Sequence, residues 1–177
     1  MFLTRIIFIS LCLIPLPAFA GGQYLEPNAF IKQSFSAPLP KAKALWLTSP
    51  QRARIKKILA HDFKKLRLRY WQQDNKTAWI LNEVGKDKPI TIGVVINQGR
   101  IQSIKVLTFR ESRGSEIRHD FFTRQFEQAT LQDTLKLDRH IDGISGATLS
   151  VRAMTKISRI ALYLDQQISA PQKPGTQ

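Results

Sequence analysis

Asp142-Gly143-Ile144-Ser145-Gly146-Ala147-Thr148-Leu149-Ser150 combines hydroxyls, small residues and one carboxylate in nine positions. Such a set suits the holding of an anion. Gly143 and Gly146 let backbone approach a ligand closely, and the small residues Gly146 and Ala147 leave the Thr148 hydroxyl sterically open. The run also precedes a long amphipathic segment, which places Thr148 at the N-terminal edge of a helix. Unpaired N–H groups and the positive end of the helix dipole favour phosphate there. From the residues alone the plainer role is favoured, because Ser145, Thr148 or Ser150 can cap the helix. Other chemistries fit poorly. Gly146 stands where a G-x-S-x-G nucleophile elbow needs its variable residue. His61, His119 and His140 are far apart, with neither H-x-x-x-H nor H-E-x-x-H spacing, so no metal site and no catalytic residues are expected.

The helix that follows is read from Leu149–Gln167, where Val151, Met154, Ile157, Ile160, Ala161 and Leu164 recur at helical spacing. Upstream the period changes. Ser49-Pro50 predicts a helix start, with Ser49 as N-cap and Pro50 at the first helical position. Ile55, Ile58 and Leu59 share one side of that helix. In Lys65–Tyr70, Leu66, Leu68 and Tyr70 alternate with Lys65, Arg67 and Arg69, which predicts a half-exposed strand. Thr77–Glu83, Ile90–Asn97 and Arg100–Phe109 read as three more strands joined by short turns, hence an antiparallel sheet. Leu45-Trp46-Leu47 reads as a short strand and Asn28–Phe35 as about one helical turn. Past Arg110, Glu111–Gly114 is a loop. Ile117–Gln128 reads as a helix with Phe121, Phe122 and Phe126 on its buried side, and Leu131–Ile141 as irregular. Trp46, Trp71 and Trp79 read as core or rim residues. Strands followed by helices around one core make a single α+β domain.

The 177-residue chain has 27 Lys+Arg against 13 Asp+Glu, a formal net charge of +14, and one cysteine. One cysteine excludes a disulfide framework, a Cys-based zinc site and an iron–sulfur cluster. The charge points to nucleic acid, an anionic membrane surface or an acidic protein. The N-terminus narrows that choice. A short positive stretch to Arg5, an apolar run from Ile6 to Pro17 and Ala18-Phe19-Ala20 before Gly21 form the three-part layout of a secretory signal peptide. Cleavage after Ala20 removes Arg5 and Cys12, which lowers the charge from +14 to +13 and leaves no thiol. Outside the cytoplasm, in a periplasmic location, no nucleic-acid partner is expected. The expected organisation is a signal peptide at 1–20, a lead-in at 21–43, a domain at 44–168 and a disordered Pro/Gly/Gln tail at 169–177. The basic set Arg52–Arg69 reads as a solvated face, with docking as the sharper reading.

Asp142-Gly143-Ile144-Ser145-Gly146-Ala147-Thr148 resembles the D-x-x-[S/T]-G-A-[S/T] flavinylation motif of FMN-binding domains. Such domains occur in the flavin subunits of sodium-pumping quinone reductase and the Rnf complex, and in NosR. Ile96-Asn97-Gln98-Gly99-Arg100-Ile101 resembles that family's strand–turn–strand, Glu111-Ser112-Arg113-Gly114 its E-x-x-G loop, and Phe122–Phe126 its following helix. The likeness covers about residues 65–165. It implies that Thr148 carries FMN through a phosphoester, installed by a separate flavin transferase with FAD as donor. It implies that Asp142 is recognised by the transferase or positions the Thr148 hydroxyl. Ser145, Gly146 and Ala147 would bind phosphate or ribityl oxygens, and Glu111 to Gly114 would border the isoalloxazine. The expected function is an exported electron carrier working between a membrane-bound redox protein and a periplasmic acceptor such as a cytochrome. A flavin-dependent reductase of a small acceptor and a flavin-free scaffold domain are the alternatives.

Overall fold

The computed structural model describes residues 21–169; the expected signal peptide with Cys12, and the tail beyond Ser169, lie outside the described residues. Its centre is a six-stranded antiparallel sheet. The strands are β1 (Gly22–Gln23), β2 (Lys43–Trp46), β3 (Arg67–Gln73), β4 (Lys76–Val84), β5 (Pro89–Asn97) and β6 (Arg100–Phe109), in spatial order β1-β6-β5-β4-β3-β2. β3 to β6 are consecutive and joined by short turns. Asp74 and Gln98 take positive φ at two of these turns, as short-loop hairpins demand. β5 lies centrally and is buried from Ile90 to Ile96, nearly all of it apolar, because both of its faces are covered.

The larger core lies on one face of the sheet. Trp79 and Leu81 of β4 and Ile92 and Val94 of β5 meet helix α4 (Thr148–Ser169) there. Met154, Ile157, Ile160, Ala161 and Leu164 form its buried stripe, the face that the helical spacing marks. Helix α2 (Ser49–Leu59) packs on α4 through Ile55, Ile58 and Leu59. Buried Glu83 ties these layers together, pairing with Lys156 at 3.0 Å and His61 at 3.1 Å. On the opposite face, helix α1 (Pro27–Ser34) inserts Phe30 over Gly93, where an added Cβ would sit 2.6 Å from the ring. Ala78, Val95 and Leu107 complete that smaller core.

Four local expectations change. The N-cap of α2 is Thr48, not Ser49: Thr48 and Gln51 form a capping box, and Pro50 still falls in the first turn. Leu66 is not an inward strand residue. It precedes β3 and is 54% exposed, its carbonyl accepting from the Leu47 N–H. Ile117–Gln128 is not one helix but a 3-10 turn at Ser115–Arg118, a single α turn α3 (Asp120–Thr123) and a second 3-10 turn at Arg124–Phe126. His119 is extended in this stretch, which breaks the helical phase. Phe122 and Phe126 stay buried edge to face, while Phe121 points out, 64% exposed. Finally, β1 joins the edge of β6, with Gly22 opposite Phe109; two residues carry too little pattern to be foreseen.

Candidate functional site

Two turns and one helix start converge at the end of the sheet where β4 runs into β5. The first turn is Ile144–Ala147. The Ala147 N–H donates to the Ile144 carbonyl at 3.0 Å, and Gly146 takes φ 79° at the third position. That conformation is costly for residues with a Cβ. The first bond of α4 then runs from the Val151 N–H to the Ala147 carbonyl, 3.0 Å. Thr148, Leu149 and Ser150 therefore present N–H groups ahead of any i→i−4 bond. Thr148 is exposed, with its side chain at the mouth of this arrangement.

The second turn is Gly85–Lys88, between β4 and β5. Glu111, only 6% exposed, reaches it from the end of β6. One carboxylate oxygen, Oε1, accepts from the backbone N–H groups of Lys86, Asp87 and Lys88 at 2.5, 2.7 and 2.9 Å. Burial opposes the charge of this carboxyl, yet the three N–H bonds and the Lys88 ammonium outweigh it and hold its pKa below the ordinary value. Glu111 thus serves as a clamp that fixes the turn carrying Lys86. Gly114 closes the same corner. It has φ 89°, and a Cβ there would meet Ser150 Oγ at 2.5 Å and Ala147 Cβ at 3.4 Å. The loop after β6 is therefore pressed directly on the first turn of α4.

Between these parts lies a cavity of about 570 Å³, lined by Lys86, Glu111, Arg113, Ala147, Thr148 and Leu149 among others. That volume falls within the range of about 300–1,000 Å³ usual for organic ligands and cofactors. Of the residues singled out from the sequence, Thr148, Gly146, Ala147 and Glu111 line it. Gly114 stands behind its wall, its close approach being to Ser150 and Ala147. Asp142 and Ser145 are exposed on the loop that leads to Thr148 and do not line the cavity. The Asp142 N–H donates to Gln125 Oε1 at 2.7 Å, and its carboxylate lies 3.7 Å from His140 Nε2.

Sequence reasoning missed Lys86 and Leu149. Lys86 belongs to a turn far from the motif in sequence, and only the Glu111 clamp brings it to the cavity. Leu149 reads only as the first residue of the helix, and it is 42% exposed beside Thr148. The residues present fit a phosphorylated flavin. Unbonded helix N–H groups, Lys86 and Arg113 suit the phosphate, and Leu149 offers an apolar surface for a ring. Residues 85–163 match the family model described as an FMN-binding domain. The matched stretch opens at the Glu111-clamped turn and ends within α4, so it contains every residue lining the cavity. No curated protein and no solved structure matches the chain.

Proposed function

Residues 85–163 belong to the FMN-binding domain family, and from that premise we propose that the chain is an exported electron-transfer flavoprotein with FMN esterified to Thr148. The observation that carries the reading is the exposed Thr148 side chain at the rim of a flavin-sized cavity, beside N–H groups that no helical bond uses. A phosphate tethered there gains from the helix terminus and from Lys86. Attachment would proceed at Thr148 Oγ1: the hydroxyl gives up its proton, its oxygen bonds to the flavin-side phosphorus of FAD, the pyrophosphate bond breaks and AMP leaves. A separate flavin transferase would catalyse this, and the exposed Asp142 and Ser145 offer it a handle on the approach loop. Bound FMN supplies one- and two-electron transfer. The chain's own residues hold the group, shield one side of it and set the charge around it.

Export is supported by the three-part layout of residues 1–20. A tether makes sense outside the cytoplasm, where a lost cofactor is not readily replaced. The partners would be a membrane-bound redox protein on one side and a periplasmic acceptor such as a cytochrome on the other.

The test is direct. The chain is coexpressed with a flavin transferase, recovered after export, and run on a denaturing gel under ultraviolet light. Fluorescence that survives denaturation, and an intact mass raised by one FMN less one water, are expected. An unmodified mass under those conditions overturns the reading.

A further inference from the structure

We propose that the corner formed by β2 and the start of β3 is a docking surface for an anionic lipid bilayer. The positive charge of this protein is concentrated. Residues 41–69 hold ten Lys and Arg residues, and their single acid, Asp62, is paired with Lys56 at 2.7 Å. Nine of the ten are exposed; Arg52 is half-buried. β2 is an edge strand, so its outer side faces no further strand. In the β2–β3 pair, Trp46 stands opposite Arg67 and Ala44 opposite Arg69. Leu68 points into the main core, so these four alternate residues face the other way. α1 packs on β4 and β5 and leaves this outer corner bare.

One large aromatic side chain, Trp46, stands on this face with the two arginines. Trp46 is 66% exposed, with the Arg67 guanidinium 5.5 Å from its ring centre. An exposed aromatic ring beside two guanidinium groups is a composition that settles at a headgroup boundary. The ring enters the interface, and the cations meet anionic headgroups. The shape agrees. Trp46, Ala44, Arg67 and Arg69 lie side by side on two paired strands, so they form a continuous face. A broad anionic surface can meet both arginines and the ring of such a face at once. β3 begins, and β2 ends, at the sheet end that also carries the Gly85–Lys88 turn. A bilayer seated there would bring the cavity's end of the sheet toward membrane-bound redox partners.

The experiment uses the mature chain and vesicles of phosphatidylcholine alone or mixed two-to-one with phosphatidylglycerol. Flotation should show binding to the mixed vesicles only, weakening as salt rises. Brominated lipid should quench Trp46 emission, and this quenching should vanish in Trp46→Phe. Arg67→Glu with Arg69→Glu should weaken binding by about tenfold or more. Lys136→Glu with Arg152→Glu, an equal charge change elsewhere on the exposed surface, should weaken it far less. Circular dichroism checks that each variant folds. Failure to bind mixed vesicles, equal losses in the two double variants, or capture by an acidic protein in place of vesicles would each overturn the proposal. Flavin loading plays no part in the readout, so this result and the Thr148 result fail independently.

Discussion

Residues 41–69 hold ten basic side chains against one acid, whereas residues 70–169 hold 14 against 11. In the first stretch the charges are exposed and mostly without an acidic partner, so each acts through the sum. In the second, polar groups at the cavity have particular partners: Glu111 takes three N–H bonds, Gly114 packs on Ser150, and Lys86 is held by the Glu111 clamp. Charge that acts by summation tolerates exchange of its members. A site built from individual contacts does not. One fold thus carries two kinds of surface with opposite sensitivity to substitution.

The sharpest break would come at Thr148. Thr148→Ala should abolish covalent flavin completely, whereas Thr148→Ser keeps a hydroxyl and should retain some; in-gel fluorescence reads both. Gly114→Ala should follow, because it forces a Cβ into Ser150 at a positive φ. A loss of about 2–4 kcal/mol is expected, visible as a lower urea midpoint, together with poorer flavin loading. Glu111→Gln removes the charge from the turn clamp and should cost about 1–3 kcal/mol at neutral pH. The pH dependence has a definite sign. The folded carboxyl titrates below the ordinary 4.5, so the unfolded chain binds more protons between the two values. Its contribution is full above about pH 4.5 and is lost as pH falls through the lowered folded value. Urea midpoints across the acid range should decline less steeply in the Gln variant. The smallest effects belong to the basic stretch. Neutralising Lys43, Arg54 or Lys65 singly should change stability by less than about 0.5 kcal/mol. Neutralising all three should slow association with anionic partners several-fold at low salt and less at high salt. A single lysine there that unfolded the protein would end the contrast.

Where a pattern extended over several turns or strands, the sequence was readable. Arg100–Phe109 matches β6 at both ends, and the stripe from Val151 to Leu164 marks the buried face of α4. Short elements escaped, because their form depends on distant partners. β1 exists only because β6 offers an edge, and the helix expected at Ile117–Gln128 fails at one extended residue, His119. The same limit applies to the site. Thr148, Gly146, Ala147 and Glu111 lie in motifs and meet at one cavity. Lys86 joins them through three backbone N–H groups of a turn, and backbone amides leave no mark in residue types.

The pairing of Gly22 with Phe109, and the seat of Phe30 over Gly93, also govern timing. A chain made from its N-terminus releases its first strand and first helix long before either has anything to join. Until Phe109 exists, residues 21–34 must wait, and the face of β5 around Gly93 stays bare. Residues 21–34 are therefore placed only after the strands they join have been made, so this edge and this face depend on contacts distant in sequence.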